Sequence, residues 1–334
     1  MLPSKVDAQA LPPPPGVMGS LRAGFDAITA HIGLILMPLG LDLLLWLGPH
    51  LGVSRVMQPV LDEMSRMVPA SGAGAADFQA LLNSYVEVVA RFNLLGVLRT
   101  LPIGIPSLMS GRMPVLSPLG QTMVIQVGSA TQVLVLLALF VFIGWVLGGL
   151  YLNMMSGLVV SGTSATSRPG FGRIVVQTML YSLICLALIW TVVFPALTII
   201  LLTSTINALL GQAVLLLLGF IALWLLVPLF FSPHGIYLRK QNALASFLGG
   251  FQMTRLTLPS SSLFVLTVFL VGVGLNYLWV VPAEDSWLVL VGLLGHAFIS
   301  AALLASSFIY YQDMSIWLQT MLEHFRASLP TQKA

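Results

Sequence analysis

Long, uninterrupted apolar runs dominate the hydrophobic pattern of this chain. A membrane-spanning helix needs about 20 mostly apolar residues, whereas a membrane β-barrel would show short alternating segments. Six runs meet the helical requirement: Ile28–Leu47, Ala130–Met155, Ile174–Phe194, Ala208–Phe231, Leu263–Val281 and Trp287–Tyr310. The boundary between the third and fourth runs is open, because the segment Pro195–Asn207 between them is itself fairly apolar. The pattern predicts an all-α polytopic integral membrane protein with six transmembrane helices.

The first two predicted spans are separated by a long insertion, at about residues 49–128. Two stretches of it, Val53–Val68 and Phe78–Leu98, have apolar residues at helical spacing and polar residues on their other faces. Such amphipathic helices are expected on the outer membrane surface or as a cap over the bundle. The prolines of Leu101–Ser107 and beyond exclude a regular helix, so we expect an ordered extended stretch leading into the second span.

Composition excludes a water-soluble fold. The 334 residues are 57% apolar and 7% charged, with a mean hydropathy of +0.97, whereas soluble domains have about 25% charged residues. The formal net charge is +3 without a clustered basic face, so we expect no nucleic-acid partner. Cys185 is the single cysteine and lies in an apolar run, which favours a buried apolar role over a reactive thiol.

Basic residues in the short loops predict the orientation, because lysine and arginine concentrate on the cytoplasmic side. They occur before the first span and after the second and fourth, whereas the turn after the fifth carries only Glu284 and Asp285. Both termini are therefore predicted to be cytoplasmic, in a plasma or inner membrane. We expect a proline-rich disordered N-terminus (1–15), a six-span membrane domain (16–310) with an extracytoplasmic insertion, and a cytoplasmic tail (311–334).

A short element containing a small residue, glycine and phenylalanine recurs before each odd-numbered span, in Ser20–Phe25, Ser167–Phe171 and Ser246–Phe251. At a membrane interface the phenylalanine would face acyl chains, nearby basic residues would face lipid phosphates, and glycine would let the chain turn. The candidate phosphate contacts are Arg22, Arg168, Arg173, Arg239, Lys240 and Arg255. This recurrence predicts three units, each an elbow followed by a helical hairpin. Chance recurrence of two common residues is the alternative.

This elbow-plus-hairpin arrangement loosely resembles uncharacterised six-span membrane proteins similar to the membrane domain of glycerophosphodiester phosphodiesterases. The resemblance extends over nearly the whole chain but includes no specific motif, and the long insertion departs from it. It implies a membrane domain of unassigned activity and no catalytic residue.

Four polar residues within or beside the spans are candidate site residues: Asp42, Asn276, His296 and Gln132. Ionisable groups inside a membrane are costly and therefore suggest function. If the bundle brings the four together, they would form a polar cluster in its outer half, with Asp42 as acceptor and His296 titrating near neutral pH. The alternative is that Asp42 reaches the interface and His296 bonds locally between helices.

No nucleotide-binding, hydrolase or metal-binding motif is present, so we expect no cofactor, no metal and no catalytic residue. The sequence favours a non-enzymatic structural, assembly or lipid-binding accessory protein, with membrane lipids and another membrane subunit or a second copy as partners. The alternative is a small secondary transporter that uses the polar cluster. An intramembrane enzyme is the least favoured.

Overall fold

The computed structural model describes residues 13–67, 75–160 and 170–328. Five helices in these parts are long and apolar enough to cross a membrane, and a bent helix pair near the N-terminus raises the number to six. The prediction of an all-helical polytopic membrane protein is therefore confirmed. Most of the predicted disordered segment 1–15 lies outside the described residues.

The first predicted span, Ile28–Leu47, is divided by a sharp turn. Helix α1 (Val17–Ala30) ends at His31, and a 3₁₀ turn (Ile32–Ile35) leads into α2 (Leu36–Leu47). The two parts are bent by 93°. The prediction of one continuous helix is wrong because apolar residues lie on both sides of the bend, so that hydropathy does not mark it.

The third predicted span is longer than the sequence suggested, whereas the fourth has its predicted bounds. After α6 (Ala130–Val160), α7 (Phe171–Leu188) continues through a π-helical turn (Ile189–Val193) into α8 (Phe194–Ile206). The segment Pro195–Asn207 is thus almost wholly helical. Pro195 lies two residues after the π-helical turn, where the regular i→i−4 hydrogen bonding is already interrupted, so the helix continues past it. The chain turns at Asn207, whose side chain accepts from the amides of Leu209 and Leu210 and caps α9 (Ala208–Phe231).

The last two long helices also extend beyond their predicted bounds. A short helix, α10 (His234–Leu238), precedes α11 (Ala243–Trp279), which is kinked at Thr257 two residues before Pro259. Helix α12 (Val289–Ser328) continues well beyond Tyr310 into the predicted tail 311–334.

The insertion is built from three helices, a 3₁₀ turn and four short strands. Helices α3 (Ser54–Arg66) and α4 (Ala75–Arg91) confirm the amphipathic pattern, but the second ends at Arg91 and not at Leu98. Parallel strands β1 (His50–Gly52) and β4 (Val124–Gln126) join the two ends of the insertion, and β2 (Leu116–Ser117) pairs with β3 (Gly120–Gln121). We call this end of the bundle the insertion end.

The middle of the insertion enters the bundle and returns to the same end. This re-entrant segment, Leu94–Met109, begins with a 3₁₀ turn (Leu94–Arg99) and leads into α5 (Met109–Arg112). At its tip, a Cβ added to Gly148 of α6 would lie 2.6 Å from the Cα of Gly104, so the two backbones are in close contact. Gly148 lies well inside the 31-residue α6, so the segment penetrates deeply between the helices. The expected extended stretch is therefore part of the buried core, with Ile103 only 1% exposed.

Candidate functional site

Asp42 fixes the returning end of the re-entrant segment. Its carboxylate is fully buried and accepts hydrogen bonds from the Ser107 hydroxyl at 2.6 Å, the Met109 amide at 2.9 Å and the Leu108 amide at 3.2 Å. The Ser107 hydroxyl also accepts from the Ser110 amide at 3.0 Å. Asp42 thus supplies acceptors to the start of α5, whose first amides have no partner within the helix.

His296 and Asn276 form the polar pair that the sequence placed near each other. The His296 Nδ1 and the Asn276 Oδ1 are 2.9 Å apart and join α12 to α11, and the Ser300 hydroxyl lies 3.4 Å from His296 Nε2. Gln132 lies elsewhere: its side-chain oxygen accepts from the Gly128 amide at 3.0 Å and caps the start of its own helix. The four candidates therefore do not assemble into the single cluster considered from the sequence.

Arg99 is a charged residue near Asp42 and His296, and sequence reasoning missed it. It ends the 3₁₀ turn of the re-entrant segment, and its guanidinium interacts electrostatically with both Asp42 and His296. The side chain is exposed at the surface of the bundle rather than buried between these partners. Arg99 was overlooked because the sequence assigns it to a loop outside the membrane, and only the fold carries that loop inward.

A cavity of about 520 Å³ lies between the re-entrant segment, α6 and α7. Its walls come from the re-entrant segment (Gly96, Val97, Arg99, Thr100, Leu101, Pro102), α5 (Ser110), α6 (Val141, Trp145), α7 (Ser182, Leu186) and the π-helical turn (Ile189). Leu101, Leu186 and Ile189 are 79%, 45% and 51% exposed. The cavity therefore opens on the apolar outer surface of the bundle. A π-helical turn at its edge is a feature often found at functional sites.

Two buried hydrogen-bond donors in the wall of this cavity have no partner. They are Nε1 of Trp145 and the hydroxyl of Ser182, a residue that is only 1% exposed. Buried polar atoms in native proteins are nearly always hydrogen-bonded, and an unpaired donor costs about 1–3 kcal/mol. Each atom exposes less than 1 Å², so both lie behind the surface of the cavity and not on it.

Glu284, in the turn between α11 and α12, holds the insertion onto the bundle. Its carboxylate lies 3.5 Å from Arg91 and 3.9 Å from Arg112, and it accepts from the Val115 amide at 3.1 Å. Its backbone carbonyl accepts from the indole N–H of Trp46 at 2.9 Å. Three parts of the insertion and the end of α2 thus converge on one residue.

His50 of β1 lies close to these contacts. Burial lowers the pKa of its imidazole, against the opposing effects of the Leu45 carbonyl, which it approaches at 3.4 Å, and of the Glu284 charge. The imidazole therefore favours its neutral form in the folded protein.

The predicted lipid-phosphate contacts lie at helix starts and turns away from the insertion. Arg22 is highly exposed and pairs with Asp26 at 3.8 Å, and Arg173 donates to the Lys240 carbonyl. Arg239 lies over the Tyr311 ring at 5.6 Å. Arg255 is exposed, whereas Arg168 lies outside the described residues.

Glycines of the recurring elements let α1 and α11 approach their neighbours closely. A Cβ on Gly24 of α1 would lie 2.7 Å from the Ala302 carbonyl of α12, and one on Gly250 of α11 would lie 2.8 Å from the Pro228 carbonyl of α9. Small residues at such positions allow the close backbone packing typical of membrane helices. Ser167–Pro169, in the middle element, are outside the described residues.

A second polar group lies in the core, which sequence reasoning also missed. Nε2 of His234 and the Ser307 hydroxyl are 2.8 Å apart, and the His234 ring centroid lies 4.5 Å from that of Phe308. Cys185 is buried with a free thiol, as predicted. In the described parts of the chain, no three His, Cys, Asp or Glu side chains are grouped so as to hold a metal ion.

No family model, curated protein or solved structure matches this chain. The resemblance to six-span proteins related to phosphodiesterase membrane domains therefore stays a prediction.

Proposed function

We propose that this chain is a non-enzymatic integral membrane protein that binds lipid and serves as a structural or assembly subunit in its membrane. The observation that carries the proposal is the cavity beside the re-entrant segment. Its volume of about 520 Å³ falls within the roughly 300–1,000 Å³ typical of ligand sites. Most of its lining is aliphatic or aromatic, and its rim lies on the surface that faces acyl chains in a membrane.

A small secondary transporter is the second candidate. The His296–Asn276 pair and the charge of Arg99 beside it favour this alternative, because ionisable groups inside a bundle often line transport paths. The Asp42 carboxylate weighs against it, since three protein donors already engage its oxygens. An Asp42 that carried a proton or cation would have to release these bonds in every cycle.

For the architecture, we propose six spans in three elbow-plus-hairpin units arranged in a ring. Each unit's first helix packs on the last helix of another unit: α1 on α12 through Gly24, α7 on α6 through Gly149, and α11 on α9 through Gly250. The re-entrant segment fills the first unit, where it packs against both α2 and α6.

We further propose cytoplasmic termini in a plasma or inner membrane, with the insertion end outside. The distribution of basic residues supports this orientation, because Arg22, Arg173, Arg239, Lys240 and Arg255 all lie away from the insertion. These residues would then lie within reach of lipid phosphates on the cytoplasmic side.

Photo-crosslinking tests the lipid-binding proposal. The full chain is reconstituted with a phospholipid that carries a photoreactive group on its acyl chain, and crosslinked peptides are identified by mass spectrometry. We expect crosslinks concentrated on 96–102 and 182–189. Val141→Trp should fill the cavity and reduce them, whereas Leu139→Trp, two residues along α6 at a 47% exposed position, should not. Crosslinks spread evenly over the exposed helices in all three proteins would refute the proposal.

A further inference from the structure

The charged group of the cavity is suited to a negatively charged ligand. Arg99 presents hydrogen-bond donors in the lining, and none of the lining residues is acidic. Two of the lining hydroxyls already donate to the protein, Thr100 to the Ile103 carbonyl at 2.7 Å and Ser110 to the Gly96 carbonyl at 3.2 Å. A cationic ligand would find no carboxylate in this lining.

Arg99 retains unused donors despite its acidic neighbour. Asp42 is near enough to interact electrostatically, but its carboxylate is bonded to the re-entrant segment. Among residues 13–67, 75–160 and 170–328, no acidic side chain forms an ion pair with Arg99 within 4 Å. An arginine on a membrane-facing surface is costly unless an anion or water engages it. Its planar group with five N–H donors matches phosphate and carboxylate oxygens.

We propose that the cavity binds the anionic group of an amphiphile, a phosphate or a carboxylate attached to an acyl chain. The exposed guanidinium of Arg99 is the group that binds the anion's oxygens. The acyl chain extends out of the cavity and packs against the exposed side chains of Leu186 and Ile189. This inference rests on the proposed lipid-binding function and specifies its ligand class.

Lipid binding is measured by quenching of tryptophan fluorescence with brominated lipids, using the purified full chain in detergent. Three probes with comparable acyl chains are compared: phosphatidylglycerol, the fatty acid oleate, and uncharged diacylglycerol, which has neither a phosphate nor a carboxylate. Wild type should bind the first two about tenfold or more tightly than the third, the effect expected of a charge-assisted hydrogen bond. The anionic probe that binds more tightly identifies the source of the charged group as a phosphate or a carboxylate.

Substitutions then test Arg99 and the cavity. Arg99→Gln should weaken anionic binding at least about tenfold and leave diacylglycerol binding unchanged, and Arg99→Lys should fall between wild type and Arg99→Gln. Val141→Trp, which narrows the cavity, should weaken binding of all three probes, whereas Leu139→Trp should not. Arg55→Gln, which changes an exposed arginine of α3, is the matched control and should bind as wild type does.

The outcomes distinguish a failure of this inference from a failure of the proposed lipid-binding function. If all three probes bind equally and Arg99→Gln has no effect, the chain binds lipid but the anion site is wrong. If no probe binds, the lipid-binding function itself fails. Should Arg99→Gln not fold, equal affinity of wild type for the anionic probes and for diacylglycerol would overturn the inference.

Discussion

Replacing Asp42 with alanine should release the re-entrant segment from the bundle. The substitution removes the acceptor of two buried backbone amides, those of Leu108 and Met109, and of the Ser107 hydroxyl. Each buried donor left without an acceptor costs about 1–3 kcal/mol, so the two amides alone give a loss of roughly 2–6 kcal/mol. Asp42→Asn keeps one acceptor oxygen and should lose roughly half as much.

The buried single cysteine makes this loss measurable without a further substitution. A dye that becomes fluorescent on reaction with thiols reports unfolding when heat exposes Cys185. At about 1.4 °C per kcal/mol for a chain of 334 residues, Asp42→Ala should lower the melting temperature by at least ~3 °C. Asp285→Ala, which removes an exposed carboxylate from the α11–α12 turn, is the control. A melting temperature for Asp42→Ala equal to that of the control would show that the carboxylate does not hold the segment.

Three further substitutions test other contacts of the bundle. Glu284→Gln should speed proteolysis of the insertion and cost about 1–3 kcal/mol, because it removes the charge that two arginines share; an unchanged cleavage rate would contradict this. Burial lowers the pKa of His50, so the folded protein disfavours its charged form. The free energy of unfolding should therefore be highest above the unfolded pKa of about 6.5 and should decline as the pH falls below it. His50→Gln should remove part of this decline, measured as melting temperature against pH. Gly148→Ala should cost about 1–3 kcal/mol by forcing apart the backbones of α6 and the re-entrant segment. Gly219→Ala, with open space around its Cβ position, should be neutral or slightly stabilising in the same assay.

Polar residues of the bundle could be identified from the sequence only where they interrupt a long apolar run. The α12 residue His296 and its partner Asn276 were identifiable because each interrupts a long apolar run, where a polar side chain is conspicuous. Arg99 and Ser107 lie in a proline-containing loop of mixed composition, where polar residues are ordinary. Ser107 matters because it donates a hydrogen bond to the Asp42 carboxylate, and Arg99 matters because it lines the cavity. Both residues lie more than 50 positions along the chain from Asp42.

Helix ends were a second source of error, with a different cause. The pattern placed loops at Pro195–Asn207 and after Tyr310, but helices occupy both regions. A stretch that is apolar all round has no periodicity to mark its ends, and the π-helical turn before Pro195 lets the helix continue past this proline. The bend at His31 was missed for the converse reason, because both arms are apolar.

By itself, the sequence determined that this is a helical membrane protein with amphipathic helices in its insertion, since burial of apolar surface and helical periodicity are properties of contiguous residues. Only the tertiary structure decided that the insertion folds back into the bundle, that Asp42 serves as its acceptor, and that Arg99 lines a cavity. These features depend on close backbone approach, as at Gly104 and Gly148, and on hydrogen bonds between distant segments. Neither kind of contact leaves a periodic pattern in the chain.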